Sequence, residues 1–202
     1  MRRFGATAES VAQLQISAAK NGKTLKETFA TVVGTGKAKA AELKVAMSEK
    51  QILDEISKVS STVYMNFKGN VKELAGAVVE AKKMGLSLDK VASIGDSLLD
   101  FESSISKEME AQLLTGKNIN LSQAREYALA GDTKNLMKEL NKQIGSQAEY
   151  EKMNVIQRQA YAEALGMTRQ EMDQMYRDQE KARVLGPLAN ASATEQYNTL
   201  VK

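Results

Sequence analysis

Gly34-Thr35-Gly36-Lys37 is the stretch nearest in residue type to a chemical signature, since glycines beside a lysine are what a phosphate-cradling loop uses. The full pattern needs glycine where Thr31 stands and Ser or Thr where Ala38 stands, after a strand, and no strand-type run precedes it. It reads as an interhelix turn. Asp96 and Asp100 are four apart and would share a helix face, where two carboxylates could help to hold a cation. No histidine or second acidic helix supports them, so they read as a solvated face, and no carboxylate pair is marked out for glycoside hydrolysis. Met153, Met167, Met172 and Met175 could line a plastic groove, but methionine at helical spacing is more often plain core.

The sharpest pattern is Ala162 to Arg177, AEALGMTRQEMDQMYR. Ala162, Gly166, Met172 and Met175 follow the spacing of a DNA-binding helix-turn-helix, in which small residues let two helices cross and the last two apolar positions pack between them. Arg169, Gln170, Gln174 and Arg177 would then face the groove, where Arg and Gln read base edges. Asp173 on the same face, with Glu171, Asp178 and Glu180, would repel phosphates. The plain reading is a helical hairpin, with nucleic-acid contact as the alternative.

Absences exclude more than these motifs admit. The 202 residues contain no cysteine and no histidine. Disulfides, thiolates, Ser-His-Asp and Cys-His arrangements and His-based zinc sites are therefore impossible within this chain. No catalytic, cofactor-binding or metal-ligating residue is assigned, and the chain reads as non-enzymatic. The net charge is +3. Residues 1–50 carry nine Lys/Arg against four Asp/Glu, a local +5 that suits a solvated surface or an acidic partner. No apolar run approaches the ~20 residues of a membrane span, and no apolar stretch follows Met1-Arg2-Arg3 as a signal peptide requires.

The elements that would position any such residues are helices. Leu86 to Lys117 dominates: Val91, Ile94, Leu98, Phe101, Ile105, Met109 and Leu113 recur every three or four residues, an amphipathic spacing. Glu102 falls inside that apolar arc, and Gly95-Asp96 is a candidate break. Elsewhere one device recurs, a glycine followed within two positions by a capping residue: Gly85/Ser87, Gly131/Asp132, Gly145/Ser146 and Gly166/Thr168. Ser48/Gln51, Asn70/Glu73 and Asn154/Gln157 add cap signals. Gly34-Thr35-Gly36 should end a helix begun at Thr24. The expected fold is all-α, an array of short and medium helices joined by Gly/cap turns, with helical hairpins around one core and loose termini. Its expected parts are a basic, weakly structured arm over 1–36, a helical domain over 37–185 and a flexible tail over 186–202.

The wording of Phe67 to Asp132 resembles a segment of phage tail tape measure proteins, those of phages and prophages of Bacteroides-like bacteria in particular. Leu86-Ser87-Leu88-Asp89-Lys90-Val91 and Leu98-Leu99-Asp100-Phe101-Glu102-Ser103 are its distinctive parts, and it continues loosely through MNVIQRQAYAEALGMTRQEM to Leu185. The resemblance implies a scaffold that lies in the tail tube lumen, is present in the host cytoplasm during assembly and sets tail length. It implies tail tube, tail-tip or baseplate proteins and tail assembly chaperones as partners, with self-association, and no small-molecule substrate. Family members are usually far longer, and even as one helix 202 residues would span only ~300 Å at ~1.5 Å per residue. The chain therefore reads as a folded section of such a protein, either a fragment of one or a short relative.

Overall fold

The computed structural model describes residues 8–20 and 22–185. Among them the chain is all-α, with no strand. The helices are α1 (Ala8–Lys20), α2 (Leu25–Leu43), α3 (Glu49–Lys58), α4 (Ser61–Asn66), α5 (Val71–Lys83), α6 (Leu88–Leu99), α7 (Phe101–Thr115), α8 (Ser122–Leu129), α9 (Thr133–Gln143), α10 (Gln147–Glu151), α11 (Val155–Ala164) and α12 (Arg169–Leu185). The loose tail expected over 186–202 lies outside the described residues, as do residues 1–7.

Local chemistry sets most boundaries. Ser48, Ser146 and Asn154 each accept a hydrogen bond from the backbone N–H three residues on, while Gln51, Glu149 and Gln157 reach back to the capping residue's N–H. Thr24 with Glu27 does the same at α2, and Thr168 with Glu171 at α12. Each such cap satisfies N–H groups that a helix start otherwise leaves without partners, and is worth about 1 kcal/mol. Gly85, Gly116, Gly131 and Gly166 close their helices with positive φ.

The described residues divide into two compact units, 8–87 with 178–185, and 88–177. This differs from the expected division at residue 36, which falls inside α2. Within the stretch expected as a weakly structured arm, α1 and α2 pack on each other and on α3, and Leu14, Ala18 and Val32 are buried. Gly34-Thr35-Gly36 does not break the chain either, because α2 runs through it. Gly36 serves close packing instead. A Cβ built there would meet Ile52 Cγ2 of α3 at 2.8 Å. With no loop at this point, the resemblance to a phosphate loop falls away. α5 is the centre of the first unit. Leu74, Ala75, Val78, Val79 and Ala81 are all buried in it, and α2 and α3 pack against it.

In the second unit α6 packs on α8 and α9. Val91, Ile94 and Leu98 are buried as their spacing predicts, each aliphatic side chain contributing about 1.5–3 kcal/mol. Gly95 is no break. A Cβ there would lie 2.8 Å from Leu136 Cδ2 of α9, so its absence lets α9 cross closely. The chain turns at Asp100 instead, whose ψ of 80° leaves the helical range. α7 then packs on α11.

Candidate functional site

Helix α7 carries the feature that sets the second unit apart. Its buried residues are the small Ser104 and Ala111. These lie seven apart and so on one face, and α11, which packs on α7, buries the small Ala160 and Ala164 on one of its own faces. Small residues on both helices permit a close approach. The large apolar residues point elsewhere: Phe101 and Ile105 are 46% exposed, Met109 64% and Leu113 86%. At ~100° per residue the centre of this row lies roughly 130° around the helix from Ser104 and Ala111. The row runs ~18 Å along α7.

The row has a defined surround. Gln157 Nε2 donates to the Leu114 carbonyl at 2.8 Å, which brings the start of α11 beside the end of α7. Val155 and Ile156, at the start of α11, are also exposed. Asp100, Glu102 and Glu110 are exposed around it, with Lys107 farther round. Arg125 of α8 braces the helix from behind: it donates from Nε to Ser104 Oγ at 3.0 Å and pairs through Nη2 with Glu108, both side chains largely buried. The result is an outward apolar row with exposed carboxylates beside it. Single exposed apolar residues are ordinary, and a row of four along one helix is less so.

The hairpin at Ala162 to Arg177 forms as α11 and α12. Ala162, Met172 and Met175 are buried, and Gly166 has φ +70° with Ile94 O only 3.3 Å from where a Cβ would stand. Met167 is buried too and Met153 half-buried, so Met167, Met172 and Met175 are core rather than a groove. Gln170, Gln174 and Arg177 are exposed and Arg169 half-buried. Arg177 donates to Gln174 Oε1 at 3.0 Å, and Glu171 pairs with Lys90 at 2.6 Å. Asp173 accepts from Tyr150 Oη at 2.9 Å. The unit around the hairpin carries eleven Lys/Arg against fourteen Asp/Glu, a net −3. Asp96 is exposed on α6 while Asp100 begins α7, and among the described residues no group of three acidic side chains converges as a metal site.

Three tyrosines lock this hairpin, and the sequence reading overlooked them. Tyr161 Oη accepts from Gly145 N–H and donates to the Gln143 carbonyl, both at 2.8 Å, while Tyr176 Oη donates to the Gly145 carbonyl at 2.9 Å. Tyr150 stacks with its ring centroid 5.1 Å from that of Tyr176, under the Arg158 guanidinium. Burial pushes all three phenols above their ordinary value, with the Asp173 carboxylate adding to the shift at Tyr150. The folded state therefore keeps protons that the unfolded chain releases near pH ~10. Their contribution to stability is whole below that pH and is lost as pH rises beyond it. In an alkaline titration followed by phenolate absorbance and helical circular dichroism, part of the phenolate signal should appear only as helix is lost. Complete, reversible ionisation near pH ~10 with the helices intact would contradict this.

No family model, curated protein or solved structure matches the chain. Among the described residues no helix is long and apolar enough to cross a membrane.

Proposed function

We propose that the chain is a non-enzymatic structural section of a phage tail tape measure protein, docking on other tail components through the outward face of α7. One observation carries the reading: the row Phe101, Ile105, Met109 and Leu113 lies exposed on a firmly held helix, inside the stretch Phe67 to Asp132 whose wording resembles those proteins. The partner's chemistry follows from the rim. An apolar ridge or groove flanked by Lys or Arg would complement Asp100, Glu102 and Glu110. A second copy apposed on the same row would bring these carboxylates together, so a tail tube, tail-tip or baseplate protein, or a tail assembly chaperone, fits better than self-association. The chain would meet these partners in the host cytoplasm during assembly and lie in the tube lumen of the finished tail. The nucleic-acid alternative has less behind it, because Arg177 is tied to Gln174 and acidic residues outnumber basic ones around Arg169, Gln170, Gln174 and Arg177.

Disrupting the reading frame that encodes the chain should yield tails of wrong length, or none, by electron microscopy. Normal tails made in its absence would overturn the proposal.

A further inference from the structure

We propose that Met109 is a reversible oxidation site, and that its sulfoxide form switches off docking through the outward row of α7. The docking half rests on the tail reading above; the oxidation half stands without it. The chain contains no cysteine, tryptophan or histidine, so methionine thioethers are its most readily oxidised groups. The fold then sorts them by access. Met47, Met84, Met137, Met167, Met172 and Met175 are at most 4% exposed. Met65 on α4 is 72% exposed and Met109 64%. Met109 stands within the row, four residues from Ile105 and four from Leu113.

The reaction needs only a hydroperoxide. The thioether sulfur attacks one peroxide oxygen, the O–O bond breaks as an S–O bond forms, and the peroxide's proton passes to the departing oxygen. Sulfur gives up two electrons, and the peroxide is reduced to water or an alcohol. Met109 lies roughly 140° around α7 from the buried Ser104, at ~100° per residue. The added oxygen therefore enters solvent and leaves the packing of the unit alone. A partner covering the row would have to bury that oxygen beside the Ile105 and Leu113 side chains, which offer it no hydrogen bond. A polar group buried without one is costly. The same exposure leaves the sulfoxide open to the reductases that restore the thioether. Leucine at this position would fill the row as well but could not be switched.

The test treats the full chain with hydrogen peroxide and follows each methionine by peptide mass and the fold by circular dichroism. Met65 and Met109 should oxidise at least about tenfold faster than the six buried methionines, with the helical signal unchanged. Treated and untreated chains are then compared in their recovery of tail proteins. Oxidation should weaken binding about tenfold or more in the parent chain and in Met65→Leu. It should leave binding by Met109→Leu unaffected, and a methionine sulfoxide reductase should restore the parent chain. Met109 oxidising no faster than Met172, helix lost as Met109 reacts, or an equal loss of binding in Met109→Leu would each overturn the inference. If the untreated chain recovers no tail protein, the tail reading and the switch fall together. If it does, and the oxidised chain recovers as much, the switch alone falls.

Discussion

Arg125→Met should cost about 3–5 kcal/mol of unfolding free energy, the largest loss from any single change to a charged residue in the second unit. Arg125 is 7% exposed, and the Glu108 side chain with which it pairs is only 13% exposed. Removing the guanidinium strands a carboxylate in a place water scarcely reaches and leaves Ser104 Oγ without its donor. The exposed pair Lys181–Asp178 offers the contrast, since such pairs are worth about 0–1 kcal/mol. The decisive comparison is the double variant. Arg125→Met with Glu108→Leu removes both charges and replaces them with apolar side chains, so it should recover most of the loss. Urea denaturation followed by circular dichroism measures all three. A single-variant loss under about 1 kcal/mol would mean the pair is far wetter than its burial implies.

The second large effect concerns binding and leaves the fold alone. Met109→Glu/Leu113→Glu places two carboxylates on the outward row of α7. Both side chains are mostly exposed, so stability should change by less than about 0.5 kcal/mol at each. Affinity for the partner should fall about a hundredfold or more, because buried apolar anchors dominate such contacts and the new charges would be desolvated beside an already acidic rim. A pull-down of tail proteins comparing the variant with the parent chain reads this. Equal recovery would place the contact elsewhere.

What could be read from the sequence follows from the range of the forces involved. Caps act over three residues, so Ser48/Gln51, Asn154/Gln157 and Thr168/Glu171 were legible, as were the glycine closures at Gly85, Gly116 and Gly131. Glycines whose role is to admit a neighbour were not. Gly36 and Gly95 look like breaks along the chain, and only the approach of Ile52 and Leu136 explains them. The row from Val91 to Leu113 has helical spacing throughout, yet burial depends on which surface another helix covers. α8 and α9 cover its first half in α6, and α11 takes the small face of α7 and leaves the rest bare. Glu102 inside the arc was the local hint that the second half faces out.

The absence of cysteine makes the central claim directly measurable. Leu113→Cys introduces a single thiol on the apolar row, and Lys107→Cys introduces one on an exposed position farther round α7. Each is treated with a short thiol-to-amine crosslinker in assembling tails, and the products are identified by mass. The account predicts that position 113 joins the chain to a tail tube, tail-tip or chaperone protein while position 107 gives little or none of that product. Equal products from both positions, or no tail protein captured from 113, would contradict it.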